Sequence, residues 1–267
     1  MKKGLLGTTA LVGATALLAG AAGAAEAPSY KISGGTNFQF YYIDQDATTF
    51  KGGTQDHGWY FGVDSSEIKF DVSGTADNGL NYGYKVEIDT NTTGTANADE
   101  NRIQLSGSWG TLQLGDEDGA EDIMNYGGES LMGGTGGFDG DIGDVMETTL
   151  GGITAGPTIV GDSGDATKVS YYSPRFSGLQ VGVSLTPAEL SGNDKKLDTT
   201  FENGIGIGVN YNNSFGDVNI KVSGVYAKAS AVNSATTNDV GSYAIGAVVG
   251  FGPFSIGGAW ADNGDSA

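Results

Sequence analysis

The chain has 267 residues and a strongly acidic balance, 32 Asp and Glu against 13 Lys and Arg, for a formal net charge of −19. That sign excludes nucleic acid as a partner, because holding a phosphate backbone needs clustered Lys and Arg. There is no cysteine, so no disulfide framework holds the fold, and the 47 glycines against 5 prolines have to be read from where they fall.

In chain order, residues 1–25 form a signal peptide. Lys2 and Lys3 give a positive start, Leu5 to Leu18 is apolar but too short to span a bilayer as a helix, and Ala22-Gly23-Ala24 offers a small-residue cleavage site. Cleavage leaves 11 basic residues against all 32 acids. Residues 26–267 contain no stretch apolar enough for a helical span. An exported chain of this kind is periplasmic, secreted or an outer-membrane barrel.

The mature chain reads as about eleven short strands, with no segment of helical period. The first covers 29–43. Next, Ile68, Phe70 and Val72 alternate with Glu67, Lys69 and Asp71. Leu80, Tyr82, Tyr84, Val86 and Ile88 then alternate with Asn81, Gly83, Lys85, Glu87 and Asp89. Strands follow at 100–108, 111–115, 167–174, 179–186 and 203–211. Val218, Ile220, Val222 and Tyr226 share one parity, and the last two strands are 241–250 and 254–261. Period-2 alternation gives each strand one apolar and one polar face. Short turns alternate with longer loops near 44–65, 91–99, 116–166, 187–202 and 229–240, the connectivity of an up-and-down antiparallel meander with two unlike rims.

Alternation fits either a soluble β-protein with an apolar interior or a transmembrane barrel with a polar lumen. The signal peptide permits the outer membrane. The polar face is rich in Gly, Ser, Asn and Gln. Tyr30, Tyr42, Trp109, Tyr171, Phe251, Phe254 and Trp260 lie near strand ends, where interfacial girdles belong.

The loop over 116–166 stands out. Between Arg102 and Lys168 there is no Lys, Arg or His, and Asp116 to Asp165 carries twelve carboxylates. Loops of this length are uncommon and are usually functional or disordered. By composition it is a solvated acidic loop, and its clustered Asp116, Asp118 and Asp122 leave Ca²⁺ open as a ligand, although no EF-hand pattern is present. Nothing points to an enzyme. His57, the single histidine, falls in the 44–65 loop, and there is no G-x-S-x-G elbow. Gly204-Ile205-Gly206-Ile207-Gly208 mimics a phosphate loop but lacks the strand-loop-helix context, so its glycines fit a strand approached closely by a neighbour or by lipid.

Lys168-Val169-Ser170-Tyr171-Tyr172-Ser173-Pro174-Arg175-Phe176-Ser177-Gly178-Leu179-Gln180-Val181-Gly182-Val183-Ser184 closely resembles a hairpin of the Gram-negative porins of the general-diffusion type. Trp109-Gly110-Thr111-Leu112-Gln113-Leu114-Gly115 is similar to the strand leading into their constriction loop, Tyr30-Lys31-Ile32-Ser33-Gly34 to their first strand, and Gly137-Phe138-Asp139-Gly140-Asp141 partly resembles a loop tip.

The resemblance implies an all-β, sixteen-stranded transmembrane antiparallel up-and-down barrel in outer-membrane lipid, usually a homotrimer, with no cofactor. It passes small hydrophilic solutes and ions. With eleven strands in view and Ala267 in an apparent loop, the sequence reads as truncated at its C-terminus. The resemblance places 116–166 inside the pore. Asp116, Glu117, Asp118, Glu121, Asp122, Glu129, Asp139, Asp141, Asp144 and Glu147 then become constriction acids favouring cations, faced by Lys31, Lys69, Lys85 and Arg102 on the wall. Alternatively each basic residue pairs with a neighbouring carboxylate, as Lys69 with Glu67 or Asp71. The competing function is a secreted or surface-attached acidic β-protein that binds calcium or matrix without a pore.

Overall fold

The computed structural model describes residues 27–44, 57–90, 97–128, 131, 162–187, 200–233 and 237–264. The expected signal peptide over residues 1–25 and the middle of the acidic loop lie outside these. The described residues form eleven strands, β1 (Ser29–Asp44), β2 (His57–Thr75), β3 (Asn81–Asp89), β4 (Asn97–Gly107), β5 (Gly110–Asp116), β6 (Thr167–Tyr172), β7 (Leu179–Thr186), β8 (Phe201–Phe215), β9 (Val218–Ala231), β10 (Val240–Phe251) and β11 (Phe254–Asp262). Each pairs antiparallel with its sequence neighbours in one sheet ordered β1 to β11. The eleven expected strands are all present.

Two expectations need correction. The loop expected over 44–65 gives way to strand at 57, so His57 opens β2 and is not a loop residue. Periodicity missed this part because β2 changes parity. Trp59, Phe61 and Val63 are the exposed apolar residues before residue 64, whereas Ile68, Phe70 and Val72 follow on the even positions. The register shows why: Thr36 pairs with Ser66 but Phe38 with Val63, so β2 holds one extra residue there. A bulge of this kind resets alternation without ending the strand. Second, a single helical turn, α1 (Ala120–Ile123), opens the acidic loop where no helix was expected.

The faces are inverted relative to a soluble β-protein. On β8, Ile205, Ile207 and Val209 are exposed while Gly204, Gly206, Gly208 and Asn210 are buried. On β6, Val169 and Tyr171 are exposed and Lys168 and Ser170 buried. Apolar side chains turned outward around a polar face are what lipid on one side and a wet lumen on the other require. Aromatic pairs mark both rims: Tyr42–Trp59 and Tyr243–Trp260 towards the long loops, Trp109–Tyr171 and Phe251–Phe254 beside the short turns.

The hairpin that carried the resemblance closes through Ser177 (φ 49°) and Gly178 (φ 97°). Two positive φ values in a two-residue loop match the right-handed strand twist, and the second suits glycine. The Arg175 guanidinium fastens this turn, donating to the Gly178 carbonyl (2.6 Å), to Gln180 Oε1 (2.6 Å) and to Asn210 Oδ1 (2.9 Å).

Candidate functional site

After β5 the chain turns onto the polar face of β6–β11. The Ala120 amide donates to Ser184 Oγ (2.7 Å), which itself bonds Ser170 Oγ (2.7 Å). Asn210 Nδ2 donates to the Met124 carbonyl (3.2 Å), and the Tyr126 amide donates to Ser223 Oγ (2.8 Å). The Lys221 ammonium lies 5.4 Å from the Tyr126 ring centroid. Beneath α1 is a small apolar cluster of Ala120, Met124, Tyr172, Val225 and Ala244. Polar wall side chains thus satisfy the loop backbone, while Met124, 1% exposed, supplies apolar burial.

The two ends of the loop are clasped together. Lys168 Nζ donates to the carbonyls of Glu117 on one end and Gly164 on the other. Glu121 Oε1 accepts from the Ser163 hydroxyl (2.9 Å) and amide (3.3 Å). Burial raises the Glu121 carboxyl above its ordinary value. Asp118 is raised by burial and then by the charge of Asp162. Asp122 is pushed up to about 7, first by the protein crowded around it and then by Asp118 and Asp162, although its own surface stays open. Burial and the charge of Asp118 push Asp165 up to about 6.

On the opposite part of the sheet, charges alternate in a ladder. Lys69 pairs with Glu67 (3.0 Å) and Glu87 (2.8 Å), Lys85 with Glu87 and with Glu100 (2.8 Å), and Arg102 with Glu117 and more loosely with Glu100 (3.9 Å). Register places Lys69 opposite Glu87 and Lys85 opposite Arg102. Three cations therefore share four carboxylates, and Arg102 reaches across β5 to the first buried acid of the loop. Lys31 stands outside this ladder on β1, exposed and opposite Asp71.

Of the acids expected in the constriction, Glu117, Asp118, Glu121 and Asp122 come together on the polar face. They differ in state: Glu117 and Glu121 are buried, and Asp122 is open. Asp116 ends β5 on the other parity, opposite Asn101 and Thr167, where it accepts the Thr167 hydroxyl. Glu129, Asp139, Asp141, Asp144 and Glu147 lie outside the described residues. Sequence reasoning did not single out Asp162, Asp165 and Lys168, which close the neck, although Asp162 and Asp165 end the same acidic interval and Lys168 is the first cation after it. Among the described residues no group of three or more carboxylates could hold a metal ion.

Residues 7–267 match the model of the family described as Gram-negative porin. The chain belongs to the Gram-negative porin family. It is an outer-membrane channel protein, and the secreted pore-less alternative is set aside. No curated protein matches the chain. Solved structures that resemble it include an anion-selective porin from Comamonas acidovorans, with a TM-score of 0.55 at 17% identity over 88% of this chain and 78% of that one. A mutant of the Rh. blastica porin gives a TM-score of 0.56 at 16% identity over 89% and 75%. The outer membrane channel DcaP of Acinetobacter baumannii gives 0.51 at 12% identity over 88% and 63%. At these identities the likeness carries the porin β-barrel fold and leaves the choice of solute to this chain's own residues.

Proposed function

We propose that this porin is a passive, cation-preferring diffusion channel whose constriction is the acidic loop over 116–166. The mature barrel domain starts near residue 26, after signal-peptide removal, and works as a homotrimer. Solutes are sieved at the loop and ions are filtered by charge; no bond is made and no energy is coupled.

One observation carries the sign of the preference. Asp118 and Asp122 have no basic partner within ion-pair distance among the described residues, whereas Lys69, Lys85 and Arg102 are each neutralised in the ladder. Beside α1 the unpaired charge is therefore negative, with Lys31 and Lys221 standing elsewhere on the wall. Low-dielectric walls focus such a field, and acidic clusters favour cations. The Comamonas acidovorans porin has the opposite selectivity on a similar fold, consistent with selectivity residing in loop and wall charges and not in the barrel.

The test is a planar bilayer separating two KCl concentrations. A reversal potential of the sign for potassium preference is expected, weaker at 1 M salt, where the Debye length falls to about 3 Å. A reversal potential of the opposite sign sinks the reading. Migration as a heat-modifiable oligomer in detergent tests the trimer.

A further inference from the structure

The glycine run on β8 has an occupant. Gly206 and Gly208 turn to the polar face and lie directly under α1. A Cβ on Gly206 would run into the Glu121 carboxylate, and one on Gly208 would come within 2.6 Å of both the Ala120 carbonyl oxygen and Met124 Cβ. The same relation repeats across the sheet. A Cβ on Gly182 of β7 would meet Met124 Sδ, one on Gly246 of β10 the Tyr126 carbonyl, and one on Gly257 of β11 Leu131 Cδ1 at 3.0 Å. On β9, between these, Ser223 holds the Tyr126 amide. The loop crosses β7 to β11 over glycines on four of the five strands, with Ser223 on the fifth.

We infer that this glycine track sets the depth at which the acidic loop lies against the wall, and so sets the free cross-section of the channel. Gly206 and Gly208 are positioning residues for the constriction, and Glu121 belongs to the seat. Glu121 is 1% exposed, bonded to Ser163, with Oε2 lodged against Gly206. Its neighbour Asp122 faces the open lumen. Adjacent acids thus divide the work, one holding the loop and one filtering ions. The magnitude follows from contact distances. A methyl on Gly208 must push the Ala120 backbone from 2.6 Å to the 3.4 Å of an ordinary contact, about 0.8 Å towards the opposite wall. A backbone held on two sides cannot flex away cheaply, so the whole turn moves inward.

The inference rests on the reading of the loop as the constriction, and the experiment separates the two. Single-channel conductance, open-channel noise and the KCl reversal potential are measured for G206A, G208A, D122N and G224A in the full chain. Gly224 is the control, since its added Cβ meets only Ile245 Cγ2 at 4.0 Å. G206A and G208A are expected to lower conductance by tens of per cent and raise noise, with the sign of selectivity kept; G224A should match the parent. Shortening the clashing acid, in G206A/E121D, should restore conductance, a coupling that general destabilisation does not produce. Glycine variants that conduct like G224A, or a G206A/E121D channel no better than G206A, overturn the seat, even where D122N weakens cation preference. A silent D122N beside a lowered G208A conductance overturns the charge reading and leaves the seat standing. Should G208A fail to assemble, M124C/G182C decides, because the natural chain has no cysteine. Oxidation should link loop to wall with conductance unchanged, and absence of the link refutes the seat.

Discussion

Lowering the pH from 8 to 5.5 should weaken the cation preference of this channel, with the larger part of the change centred near pH 7. Asp122 is pushed up to about 7 and Asp165 to about 6 from the usual 3.8, first by the protein crowded around them and then by neighbouring carboxylates. A raised carboxyl keeps its proton longer, so negative charge is present above these values and lost as pH falls through them. A group titrating at 7 is ionised in about nine tenths of molecules at pH 8 and about one tenth at pH 6. Over the same interval carboxylates of ordinary pKa stay charged. The assay is the reversal potential across a fixed KCl gradient at half-unit pH steps, at low salt so that screening does not mask the effect. D122N should remove the step near 7 and leave the shallower one near 6. A parent channel with flat selectivity from pH 5.5 to 8 refutes the reasoning, as does a D122N channel that keeps the full step.

Two further predictions concern the loop and its wall. M124A empties the apolar cluster beneath α1; losing a fully buried methionine costs about 2–5 kcal/mol, here concentrated on one loop, so the expected result is a noisier open channel and faster cleavage of the loop by a Glu-specific protease, with barrel assembly intact. R102Q removes a cation shared by Glu100 and Glu117, so cation preference should rise in the KCl-gradient assay. A fall would mean that Arg102 sets the loop position more than the local charge.

Much of this fold was legible because a strand has a period of 2. Each strand had its faces written in residues such as Ile205 and Ile207 against Gly206 and Gly208, and the composition of the polar face with aromatics near strand ends pointed to a wet lumen. The reading failed where that period was broken. The extra residue near Asp64 and Ser65 reversed parity inside β2 and made His57 look like a loop residue, although Trp59, Phe61 and Val63 carried their own alternation. A bulge is visible only against a partner strand, here β1 with its unbroken Tyr30, Ile32, Phe38, Phe40 and Tyr42.

The sequence by itself determined the strands, the two faces and the presence of one long acidic loop without a cation. These are local or periodic properties, set by composition and by chain geometry at short range. Only the tertiary structure decided which charges are free. Glu121 and Asp122 are neighbours in an acidic run, yet one is buried against Ser163 and Gly206 and the other is open. Lys85 and Arg102 become ladder members because register sets them beside Glu87, Glu100 and Glu117. The glycines of β8 take their meaning from what lies over them. An absent side chain carries no signal until a second segment, 80 or more residues away in the chain, is laid across it.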